Sequence, residues 1–127
     1  MPADLDRRYQ HEHLPDHANL LANIVRWAAH DEIPLQVDGP GLIDCHMYTQ
    51  SGRTILHLVN LTSAATWRAP LDELIPIGPV KVHIRATGQV NPSAQLLVSK
   101  GTRPVALSAG IASFEVPSIL DHEVVVL

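Results

Sequence analysis

The sequence predicts a mainly β fold: an antiparallel β-sandwich of about seven to nine short strands with one N-terminal α-helix. Three observations lead there. Apolar residues recur with a helical period only before about residue 33. Beyond it, short segments alternate apolar and polar positions, as half-buried strands do. Between those segments fall Gly, Pro, Ser and Asn, at a spacing of about 8–12 residues.

Residues 1–15 read as a polar lead-in ending at Pro15. Asp16 is a suitable N-cap, because its carboxylate can accept a free amide of the first turn and suits the positive end of the helix dipole. The helix predicted over residues 16–31 carries Leu20, Ile24 and Trp27 in one row and Leu21, Val25 and Ala28 in a second. Asn19, Asn23, Arg26 and His30 fall largely outside that face. Pro34 bars further helix, since the residue before proline is pushed out of the helical region.

Residues 34–127 form the sandwich, and the whole chain is expected to be one folding unit. Residues 35–37 make a short strand that ends at Gly39-Pro40-Gly41. Residues 42–49 set Ile43, Cys45 and Met47 on one face and Asp44, His46 and Tyr48 on the other. Ser51-Gly52 then turns the chain into a hairpin. Residues 53–61 are apolar on both faces, which predicts a strand covered on both sides. Residues 80–85 point Val80, Val82 and Ile84 inward and Lys81, His83 and Arg85 outward. Further strands are predicted at residues 95–99, 105–107, 112–116 and 122–127. Most of the ten prolines fall at strand ends or in turns, where no ladder amide is lost.

Composition narrows the function. A length of 127 residues suits one domain. The chain is 46% hydrophobic, which argues against disorder. Aromatics are 4%, too few for a surface that stacks bases. The net charge is −4 and the basic residues are scattered, so nucleic acid is not an expected partner. No apolar run approaches a membrane span, and no apolar stretch follows the polar start. With one cysteine there is no internal disulfide, and the chain is expected to be cytoplasmic.

Few residues offer chemistry. His11, His13 and His17, with Glu12 and Asp16 between them, are the nearest approach to a metal site. Two residues separate His13 from Asp16, and no strand precedes the cluster, so a polar lead-in with a helix cap is the expectation, and no metal or cofactor with it. Cys45 and His46 are strand neighbours on opposite faces and cannot act as nucleophile and base. Asp31-Glu32, Asp72-Glu73 and the pair Asp121 and Glu123 read as solvated turn residues. Asn60-Leu61-Thr62 matches a glycosylation sequon, read as incidental at a strand end. Trp67 beside Arg68, with Tyr48 and the outward row containing His83, are the side chains on which a carbohydrate could rest.

Two stretches carry a resemblance. Asp16-His17-Ala18-Asn19-Leu20-Leu21-Ala22-Asn23-Ile24-Val25-Arg26-Trp27-Ala28-Ala29 resembles the last helix of the trimerisation domain of bacterial β-galactosidase-like glycoside hydrolases. His57-Leu58-Val59-Asn60-Leu61-Thr62, followed by Trp67, Pro70, Glu73-Leu74-Ile75-Pro76-Ile77-Gly78-Pro79 and residues 80–85, resembles the C-terminal β-sandwich of the same enzymes. The resemblance implies a tail without the catalytic barrel, hence a non-catalytic structural or assembly domain rather than an enzyme. A small carbohydrate-binding module is the alternative, and a metal-dependent hydrolase built on the His11 cluster comes last. The helix row of Leu20, Ile24 and Trp27 would then be an association surface, giving a homo-oligomer.

Overall fold

The computed structural model describes residues 5–12, 14–62 and 73–127. The chain divides into two compact units, Met1–Pro34 and Leu35–Leu127, where the sequence led us to expect one folding unit. Both helices belong to the first unit and all the strands to the second.

The first unit contains α1 (Leu5–Glu12) and α2 (Pro15–Ala28), which contact each other. Residues 1–15 are therefore not merely a polar lead-in. Helix α1 escaped the sequence reading because its residues are mostly polar, with no apolar row to announce it. Helix α2 begins one residue earlier than expected. Its N-cap is Leu14, in extended conformation and without a side-chain cap, and Pro15 occupies the first turn. Proline suits that place, since its missing N–H would lack a helical partner there anyway. Asp16 sits inside the first turn instead, where the dipole still favours its charge.

The C-terminus of α2 comes before Pro34 can act. The Asp31 amide donates to the Arg26 carbonyl at 2.9 Å and the His30 amide to Trp27 at 3.1 Å. This is a Schellman closure, with His30 in the left-handed position that glycine usually takes (φ 51°).

The second unit is the predicted β-sandwich. Its strands are β1 (Leu35–Asp38), β2 (Ile43–Gln50), β3 (Arg53–Asn60), β4 (Val80–Arg85), β5 (Ser93–Leu96), β6 (Gly101–Pro104), β7 (Ala106–Ser108), β8 (Ile111–Val116) and β9 (His122–Val126). One sheet has the order β1-β4-β8-β7 and the other β2-β3-β9-β5-β6, with every pairing antiparallel. The Ser51-Gly52 turn forms as read. Both residues have positive φ (50° and 76°), as a two-residue hairpin with the right twist requires. Ala109-Gly110 closes the β7–β8 hairpin in the same way (49° and 77°).

The inward faces meet in one core. Leu56 and Leu58 of β3, Ala94 and Leu96 of β5 and Val125 of β9 pack with Val80, Val82, Ile84, Phe114 and Val116 of the other sheet. The strict alternation of β4 matches its burial position by position. The strand expected over 95–99 is instead the end of β5, which closes at Leu96, and the start of a four-residue turn that leads into β6. Gly101-Thr102-Arg103-Pro104 lacks apolar alternation, so β6 gave no strand signal.

Two buried polar residues hold this unit together. Asn60 ends β3, and its side-chain amide donates to the carbonyls of Ile75 (2.7 Å), Leu120 (2.8 Å) and Ile119 (3.3 Å), while its oxygen accepts from the Thr62 amide (3.0 Å). Glu123 is buried in β9 rather than solvated as the sequence reading had it. The alternation of β9 turns Glu123 inward with Val125. Its carboxylate accepts from the amides of Val98 (2.8 Å), Ser99 (3.1 Å) and Val124 (2.9 Å), which pins the β5–β6 turn to β9. Burial alone would raise its pKa, but the Ser99 hydroxyl and these amides outweigh it and hold the carboxyl below its ordinary value.

Candidate ligand site

The outer face of the four-stranded sheet gathers polar side chains from three strands. Alternation in β4 puts Lys81, His83 and Arg85 outside, opposite Val80, Val82 and Ile84. Register then sets Glu115 of β8 beside Lys81, and Ser113 beside His83. On the other flank, Asp38 and Gln36 of β1 stand beside Lys81 and His83.

His83 is the centre of this face. Its Nδ1 lies 2.9 Å from the Ser113 hydroxyl, and its Nε2 lies 3.9 Å from the Asp38 carboxylate. Serine, histidine and aspartate are thus neighbours, but not as a nucleophilic triad. At 3.9 Å the aspartate is beyond hydrogen-bond reach of the ring, and it accepts instead from the Gln36 amide at 2.9 Å. Beside its contact with Ser113, the ring lacks the carboxylate bond that orients the base of a triad.

A cavity of about 430 Å³ opens at the β8 end of this face. Strand β7 pairs with β8 only from Ala106 to Ser108, opposite residues 111–113. Residues 114–116 therefore have no β7 neighbour, and the cavity lies along that stretch. Lys81, His83, Ser113 and Glu115 line it from the sheet, and Arg103 and Pro104 from β6. Arg103 pairs with Ala94, a core residue, so its stem starts toward the sandwich interior. Its Nε is buried without a hydrogen-bond partner. Among the described residues, neither Arg103 nor Lys81 has a carboxylate within ion-pair distance.

The other sequence-predicted residues lie elsewhere. Tyr48 projects from the outer face of the five-stranded sheet. Its ring stacks near His46 (6.5 Å between centroids) and meets the His57 ring edge-on at 5.7 Å. His46 also contacts Asp44 at 3.0 Å. Tyr48 and His83 thus belong to different sheets and do not share a surface. Trp67, Arg68 and His13 lie outside the described residues. His11 and His17 sit on α1 and α2, and among the described residues no three metal-ligating side chains come together.

Cys45 packs beside the core as expected and is a free thiol. Burial, with the Asp44 charge, pushes its pKa up. The row on α2 is exposed: Leu20 and Ile24 at 49% and 47%, and Trp27 at 80%. Sequence reasoning named Lys81 and His83 but missed Asp38, Arg103, Ser113 and Glu115. Asp38, Ser113 and Glu115 come to one face only through the strand register, and Arg103 reaches the cavity from the other sheet; a single sequence carries neither relation.

No protein-family model matches the sequence, and no curated protein matches it. Solved structures do. The chain is similar to part of the α-L-fucosidase isoenzyme 2 of Paenibacillus thiaminolyticus, with a TM-score of 0.77 and 18% identity over 96% of this chain. It is also similar to part of a Paenibacillus sp. cycloisomaltooligosaccharide glucanotransferase solved with cycloisomaltoheptaose, with a TM-score of 0.55 and 12% identity over 74% of this chain. The fold is like that of a part of each of these two enzymes. The chain spans 19% of the length of the first protein and 16% of the second, so it corresponds to a small part of each. Neither is a β-galactosidase, so the likeness supports the resemblance at the level of the fold. No described helix is long and apolar enough to cross a membrane.

Proposed function

We propose that this chain is a non-catalytic assembly domain of the kind attached to glycoside-active enzymes, and that copies of it associate through α2. The observation that carries the reading is Trp27. An indole that is 80% exposed, in line with half-exposed Leu20 and Ile24, is an apolar stripe of the sort that helices bury against each other. The likeness to the fucosidase extends over 96% of this chain, and the remainder is too short to leave out α2. The 3.9 Å between His83 and Asp38 supports the non-catalytic reading, since no carboxylate is bonded to the ring to complete a triad with Ser113.

Light scattering across a concentration series tests the association. We expect a dimer or larger species at high micromolar concentration, converted to monomer by Trp27→Ser with Ile24→Ser. A strict monomer throughout that range would overturn self-association.

A further inference from the structure

We propose that the cavity beside β8 binds the carboxylate of a monosaccharide-sized sugar acid, with Arg103 and Lys81 as its anion-binding pair. This goes beyond the assembly role and does not depend on it.

The inference begins with Arg103. Arginine is the side chain least easily left without a partner, because its fork carries five donors and never loses its charge. Among the described residues the guanidinium has no hydrogen-bond or ion-pair partner, and its Nε is closed off from solvent. Lys81 is likewise unpaired, although Glu115 stands directly across the strand pair. Both cations line one cavity of about 430 Å³, within the range of small-molecule sites.

Charge selects the ligand's head group. Arg103 and Lys81 bring two positive charges and Glu115 one negative charge. The second acidic neighbour, Asp38, pairs opposite Lys81 but is not among the residues that line the cavity. One net positive charge matches a single carboxylate rather than a dianionic phosphate, and arginine's fork fits a carboxylate in two bonds. The rest of the lining selects the body. Pro104 and Pro117 give apolar surface for the C–H face of a pyranose ring, and Ser113 and Glu115 offer partners for its hydroxyls.

Titration of the isotope-labelled chain with glucuronate, followed by amide NMR, is the test. Glucose and glucose 6-phosphate serve as comparison ligands. We expect saturable shifts at Arg103, Ser113 and Glu115 with glucuronate, and none with glucose. Arg103→Gln should weaken glucuronate binding about ten-fold or more, the size of one lost charge-assisted pair. Lys81→Gln, on the exposed sheet face, gives a second reading if the first variant fails to fold, and it should also weaken binding. Lack of saturation with glucuronate would overturn the proposal. So would equal binding of glucose, tighter binding of glucose 6-phosphate, or unchanged affinity in the variants. None of these outcomes bears on association through α2, so the two proposals fail separately.

Discussion

Glu123 should be among the most sensitive positions in the sandwich. Its carboxylate is 2% exposed and accepts three backbone amides, two on Oε1 (Val98 and Val124) and one on Oε2 (Ser99). A hydrogen bond to a charged acceptor contributes roughly 1.5–3 kcal/mol, and a stranded buried donor costs about 1–3 kcal/mol. Glu123→Gln keeps the shape and one acceptor oxygen. It removes the charge and sets an N–H against the Ser99 amide. We expect a loss of about 2–3 kcal/mol at neutral pH by urea unfolding. Glu123→Ala strips all three amides and should cost about 4 kcal/mol. The pH dependence follows from the sign of the shift. The folded carboxyl titrates below its ordinary value, so its contribution is fully present above the unfolded pKa. It is lost as the pH falls through the folded pKa. The gap between the native chain and Glu123→Gln should thus be level around neutrality and close in acid. A gap below about 0.5 kcal/mol at neutral pH, the scatter of ordinary surface substitutions, would refute the argument. So would a gap that persists unchanged after the carboxyl has protonated.

Two further perturbations test the polar and thiol chemistry of the interior. Asn60→Ala strands the carbonyls of Ile75 and Leu120 and the Thr62 amide, and should cost roughly 2–4 kcal/mol in the same urea assay. A glycan attached to Asn60 during secretory expression should destabilise the fold, because its amide is buried and bonded; a glycosylated fraction of native stability would contradict that packing. Cys45 should resist iodoacetamide at neutral pH in the folded chain and react freely in urea. Burial and then Asp44 raise its pKa, so the native rate should climb only at alkaline pH; fast labelling of the folded chain at neutral pH would show the thiol open to solvent.

The legible parts of this fold are those whose signal is local. The alternation of β4 is written in six consecutive residues and matches burial at each. Ser51-Gly52 announces its own turn, because a two-residue hairpin needs positive φ at both positions. The apolar row of α2 is a period within 14 residues. What was lost is long-range or lacks apolar contrast. Ser113 meets His83 across 30 positions of sequence, and nothing near either residue specifies that register. Strand β6 is held at an edge by backbone pairing with β5, so its inner positions, Gly101 and Arg103, did not need large apolar side chains. Glu123 was misjudged because charge type was weighed above strand position. Read by alternation alone, it falls inside with Val125.

That error also separates structural from ligand-binding polarity in this chain. Polar groups that build the sandwich are saturated: Asn60 uses both ends of its amide, and Glu123 uses both oxygens. Each lies on an inner face where an unmet bond would subtract directly from stability. Arg103 breaks the pattern. It too starts toward the interior from a strand pair, yet among the described residues it meets no carboxylate, and its Nε has no partner. If its role were packing alone, a shorter apolar side chain would fill the edge of β6 without stranding a charge. An aliphatic replacement of similar length, Arg103→Met, should therefore leave the urea midpoint unchanged or raised, the reverse of the response at Asn60 and Glu123. A fall as large as theirs would place Arg103 among the structural groups and remove the main support for a carboxylate at that cavity.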